Sequence, residues 1–97
     1  MWTVGGLELN ARLLVGTGRY SDFETMSAAH DAAGTQMVTM AIRRVDLEAQ
    51  GTDNLLEHID RSRIHLLPNT AGCFTAEDAV LTARMAAELL DTKWLKL

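Results

Sequence analysis

The chain is poor in the residues that would commit it to several classes of function. Its one cysteine, Cys73, has no partner for an internal disulfide, so nothing in its cysteine usage points to an oxidising compartment. Nine Lys and Arg against thirteen Asp and Glu leave a net charge of −4. A chain so short of cations has no broad attraction for phosphate backbones or anionic lipid, and nucleic acid is not an expected partner. No apolar run approaches the roughly 20 residues of a membrane helix, and no charged-then-apolar leader opens the sequence. The cytoplasm is the compartment these features imply, with no membrane partner. His30, His58 and His65 lie far apart, with no carboxylate spacing that names a metal, so neither a metal nor a cofactor is expected.

What is present suits one small α/β domain. Hydrophobic residues make up 47% and charged residues 23%, near the globular average. Leu7 and Leu9, then Leu13-Leu14-Val15, read as two short strands between Gly5-Gly6 and Gly16-Thr17-Gly18. The second glycine group is either a plain tight turn or a place where backbone approaches a ligand such as phosphate. Ser21 and Glu24 have the form of a capping box, after which Phe23, Met26, Ala29-His30 and Ala33 recur at helical spacing until Gly34.

The nearly unbroken apolar stretch from Gln36 to Ile42 predicts a parallel strand covered on both faces. Arg43-Arg44 follow it, and they either clamp an anion or pair with Asp46 and Glu48. Asp53 is a candidate cap for a short helical face carrying Leu55-Leu56 and Ile59. The strand Ile64-His65-Leu66-Leu67 ends at Pro68-Asn69-Thr70-Ala71-Gly72, because proline removes a ladder donor. His65 reads as a packed residue rather than a ligand, and Cys73, in a loop before a helix start, as either a thiolate stabilised by the helix dipole or a small buried apolar group. Thr75 and Asp78 open a last helix, whose Ala79, Ala83, Met85-Ala86-Ala87 and Leu89-Leu90 predict a broad buried stripe. This alternation of strand and helix is the pattern of parallel βαβ units.

Lys93-Trp94-Leu95-Lys96-Leu97 completes the chain as a strand. Alternation puts Trp94 and Lys96 on one face and Lys93, Leu95 and Leu97 on the other. If helices cover the leucine face, Lys96 points into the sheet or barrel interior, where an ammonium is costly unless paired and useful as a nucleophilic amine. Otherwise it is a solvated lysine. Strand ends gather Gly16-Thr17-Gly18, Arg43-Arg44, Asn69-Thr70 and Lys96, as active residues gather in α/β folds.

Four stretches in this order, Leu14-Val15-Gly16-Thr17-Gly18, Val38-Thr39-Met40-Ala41 with Arg43-Arg44-Val45-Asp46, Leu66-Leu67-Pro68-Asn69-Thr70-Ala71-Gly72, and Trp94-Leu95-Lys96-Leu97, resemble the bacterial thiazole synthase family along the whole chain. The resemblance implies a (βα)8 TIM barrel and a transferase that forms the thiazole phosphate of thiamin. Its implied reactants are 1-deoxy-D-xylulose 5-phosphate, dehydroglycine and a sulfur carrier protein bearing a C-terminal thiocarboxylate. It also implies a homo-oligomer, a tetramer, and a lysine that forms an imine with the ketose, which here is Lys96. A barrel of that type takes about 250 residues. Residues 1–97 therefore read as a single partial domain holding the first three to four βα units, with the phosphate and sugar contacts lying beyond Leu97. The alternative expectation is an inactive fragment that persists as a non-catalytic, self-associating half-barrel.

Overall fold

The computed structural model describes residues 1–44 and 54–97. It opens on a hairpin that the apolar pattern did not predict: β1 (Trp2–Val4) pairs antiparallel with β2 (Leu7–Leu9), matching Trp2 to Leu9 and Val4 to Leu7. Gly5 and Gly6 form its two-residue turn with φ of +53° and +80°. Positive φ at both central positions is what a hairpin connection of this length favours, and glycine adopts it without steric cost. The Gln36 side-chain carbonyl accepts from the amides of Asn10 and Ala11 at 2.6 and 2.8 Å, and the Trp2 indole donates to Ala11 O at 2.7 Å. These bonds tie the hairpin to the start of the main sheet. Leu13 and Leu14, expected in a strand, are exposed, and β3 is only Val15–Gly16.

The main sheet is parallel, in the order β3, β4 (Met37–Ala41), β5 (His65–Asn69). Gly16 pairs with Thr39, Thr39 with Leu67, and Ala41 with Asn69. Helix α1 (Phe23–Ala33) crosses between β3 and β4, a short 3-10 turn (Leu55–His58) precedes β5, and α2 (Ala76–Leu90) follows it. Asp22, one residue past the expected Ser21, caps α1: its backbone is extended and its carboxylate accepts from Thr25 N at 2.7 Å. A carboxylate there satisfies an orphan amide and meets the positive end of the helix dipole. The Thr25 hydroxyl and then its amide hold the Asp22 carboxyl below its usual range. Gly34 ends α1 in the left-handed region, as its position predicts. Asn54 caps the 3-10 turn by accepting from Leu56 N; Asp53, Asp46 and Glu48 lie outside the described residues. Thr75 caps α2 through Asp78 N at 3.1 Å.

Strand parity sorts the side chains. Val38, Met40, Leu66 and Pro68 are buried, and the first three join Met26, Ile42, Ile64, Ala86 and Leu90 in the core. Thr39, Ala41, Leu67 and Asn69 are half-buried on the opposite face. The stripe that α2 buries is narrower than expected: Thr82, Ala86 and Leu90 are buried one turn apart, whereas Leu81, Met85 and Leu89 are exposed. His65 is exposed at the start of β5 rather than packed. The buried histidine is His30 on α1, 2% exposed.

Candidate functional site

The C-terminal ends of β3, β4 and β5 open on a cleft of about 400 Å³ lined by Gly16, Thr17, Gly18, Thr39, Asn69 and Arg44, among others. Its polar wall is a chain of hydrogen bonds across the sheet. The Thr17 hydroxyl donates to Thr39 O at 3.0 Å, the Asn69 amide nitrogen donates to Thr39 Oγ1 at 2.8 Å, and Asn69 Oδ1 accepts from Ala71 N at 3.0 Å. Asn69 and Thr39 meet because they sit diagonally on adjacent strands and share a face. On the helix side, His30 Nε2 lies 3.0 Å from Gly16 O. Phe23 and Leu55 give the cleft apolar walls.

Lys96 is brought to this end of the sheet by backbone pairing. It bridges Asn69 in parallel, donating its amide to Pro68 O at 2.9 Å and accepting from Thr70 N at 3.3 Å. The terminal segment therefore adds a fourth position to the order β3-β4-β5, by a bridge rather than a full strand. Paired residues share a face, so Lys96 stands on the side of Asn69, Ala41 and Thr39. The face agrees with alternation, and of the two expectations for Lys96 the solvated one describes this chain: Lys96 is exposed, Leu95 is half-buried and Leu97 is 93% exposed. Lys96 adjoins the cleft through Asn69 and is not among the residues that line it. Trp94, two residues earlier, lies over Gly5 of the hairpin turn.

The two arginines part company. Arg43 turns away to donate to Gly72 O at 3.2 Å and to pair with Asp78 at 3.7 Å. It latches the turn after β4 to the loop before α2. Arg44 lines the cleft. Cys73 is half-buried, and its Sγ lies 3.3 Å from the Thr82 hydroxyl, so it packs beside a polar group rather than in an apolar pocket. Among the described residues no group of three or more His, Cys, Asp or Glu could hold a metal ion, and no helix is long and apolar enough to cross a membrane.

The sequence reading missed Thr39 as part of this wall and His30 as the contact behind Gly16. Thr39 carried a usable signal, as the lone polar side chain in an apolar strand at the parity of Ala41. His30 carried none, because it falls where an apolar residue of an amphipathic helix would fall. Together the site offers hydroxyl and amide hydrogen bonds, open glycine backbone, one cation and, on the next strand position, a primary amine. Such a set suits a small polar or anionic ligand with a reactive carbonyl.

Residues 3–97 match the family model described as thiazole biosynthesis protein ThiG. The chain is 50% identical over 96 residues to the thiazole synthase of Myxococcus xanthus, covering 99% of this chain and 37% of that protein. It is 55% identical over 89 residues to that of Chromobacterium violaceum, covering 91% and 34%, and 56% identical over 90 residues to that of Bordetella avium, covering 92% and 34%. The chain spans a little over a third of the length of the curated relatives it matches, up to 37%. With the match running over nearly every residue, including the strand ends that build the cleft, the chain belongs to the ThiG thiazole biosynthesis family.

Proposed function

We propose that this chain carries the imine-forming part of a thiazole synthase, with Lys96 as the covalent residue. In this reading the Lys96 amine attacks the C2 carbonyl of 1-deoxy-D-xylulose 5-phosphate. The carbinolamine then loses water to give an imine, a sink that eases proton removal from the neighbouring carbon. Dehydroglycine and the sulfur of a carrier-protein thiocarboxylate then complete the ring, in a transferase built as a (βα)8 barrel and assembled as a tetramer. The single observation that carries the reading is the parallel bridge from Lys96 to Asn69. It gives the amine the same sheet face as the bonded Asn69 and Thr39 side chains. Arg44 and the glycine loop are the groups positioned to meet an anion. The test is a chimera in which residues 1–97 replace the matching segment of the Myxococcus xanthus thiazole synthase. Thiazole phosphate formation is expected and should be abolished by Lys96→Ala, whereas turnover that survives this substitution refutes the assignment.

A second reading, that the chain by itself is a non-catalytic self-associating half-barrel, is favoured by one observation. Leu81 and Leu89 on α2 are 59% and 56% exposed, and Phe74, ahead of the helix, is 95% exposed. An apolar stripe of this kind on a helix is what a second copy of the chain would cover.

A further inference from the structure

We propose that His30 is a positioning residue for the cleft: its Nε2–H, donated to the Gly16 carbonyl, holds residues 16–18 in the shape that forms the cleft wall. A carbonyl only accepts, so at 3.0 Å the proton of this bond sits on Nε2, and in the neutral ring Nδ1 is then a bare acceptor. Among the described residues, that Nδ1 is buried with no hydrogen-bond partner. An apolar side chain would fill the same space in α1 without leaving a polar atom orphaned. What a leucine or phenylalanine there would lack is the bond to Gly16.

Gly16 stands where the sheet gives way to the loop, so a bond to its carbonyl acts on the loop directly. It is the last residue of β3, where the ladder to Thr39 ends, and among the described residues no atom lies within 4 Å of a Cβ built on it, so no side chain packs against it on that side. The loop is pinned from the strand side by the Thr17 hydroxyl on Thr39 O and from the helix side by His30. Tyr20, edge-on to the imidazole at 5.9 Å and 89°, fixes the ring plane so that Nε2 aims at the carbonyl. The proposal concerns the shape of the cleft wall and stands apart from whether Lys96 forms an imine.

The test is nitrogen-detected NMR on the whole chain. The His30 ring is expected as the Nε2–H tautomer, and a proton on Nδ1 instead would overturn the proposal without any substitution. His30→Gln places an amide N–H near the reach of Nε2, whereas His30→Leu fills the site without a donor. The Thr17 and Gly18 amide resonances are expected to move in the Leu variant and to stay near their wild-type positions in the Gln variant, with those of Leu66 and Leu67 unmoved in both. Unmoved Thr17 and Gly18 signals in the Leu variant, or displacement in the Gln variant as large as in the Leu variant, would refute the role. If the Leu variant fails to fold, the wild-type tautomer and the Gln variant decide between the same alternatives.

Discussion

Gly5→Ala, compared with Gly6→Ala, separates backbone conformation from steric contact in the turn that underlies the lysine-bearing segment. Both glycines have left-handed φ, +53° and +80°, and a residue with a Cβ there costs about 1–2 kcal/mol. The surroundings differ. A Cβ on Gly6 meets nothing within 4 Å, whereas one on Gly5 lies 2.7 Å from Trp94 Cη2 and 3.1 Å from Cζ2. Forcing the indole to pivot adds an overpacking cost of about 1–3 kcal/mol. Gly5→Ala should therefore destabilise by about 2–5 kcal/mol and Gly6→Ala by about 1–2 kcal/mol. For a domain of this size the gap corresponds to at least about 4 °C in Tm. Urea and thermal unfolding at one fixed protein concentration measure it, and Trp94→Ala supplies the control: without the ring, the two alanine variants should become equally costly. Equal cost in the wild-type background, or a gap that persists in Trp94→Ala, would show that the indole does not rest on the turn as described.

Other substitutions divide the cleft from its scaffold. Arg43→Ala should cost less than about 1 kcal/mol, as for an exposed ion pair, and leave phosphate affinity unchanged; Arg44→Ala should weaken binding of inorganic phosphate to the cleft, read by calorimetry. The Asp60 carboxyl is held down to about 2 by the Ser62 hydroxyl, Arg63 and the Ser62 amide. A lowered carboxylate stabilises the fold above its unfolded value of 3.8 and loses that contribution as pH falls through about 2. The stability difference between wild type and Asp60→Asn should thus be constant above about pH 4 and vanish toward pH 2, as unfolding midpoints across that range will show. Sedimentation of the isolated chain should reveal concentration-dependent self-association that Leu81→Glu with Leu89→Glu suppresses, and a monomer unchanged by these substitutions would remove the second reading.

The parts of the fold legible in the sequence were those with a local physical cause. Gly34 ended α1 because only a residue free of Cβ strain takes the left-handed cap easily, and Thr75 opened α2 through its side-chain bond to Asp78 N. The face of Lys96 followed from alternation alone and is matched by its pairing with Asn69. Its exposure did not follow, because alternation assigns a side and burial depends on what packs over that side. The hairpin was missed for a related reason: three-residue strands are too short to show a period, and the Gly5-Gly6 turn was the stronger signal. Between Ser21 and Asp22 the choice of cap rested on one residue of register, which composition does not resolve. His30 is buried, as its place in the helical spacing of α1 implied, whereas His65 is exposed, because a strand end buries whichever side its neighbour covers.

The most direct test of the central proposal is reductive trapping. The chimera carrying residues 1–97 is incubated with 1-deoxy-D-xylulose 5-phosphate, reduced with borohydride, digested and mapped by mass spectrometry. The account predicts a single ketose adduct on Lys96, absent from Lys96→Ala. An adduct on Lys93, or one that persists after Lys96→Ala, would contradict it.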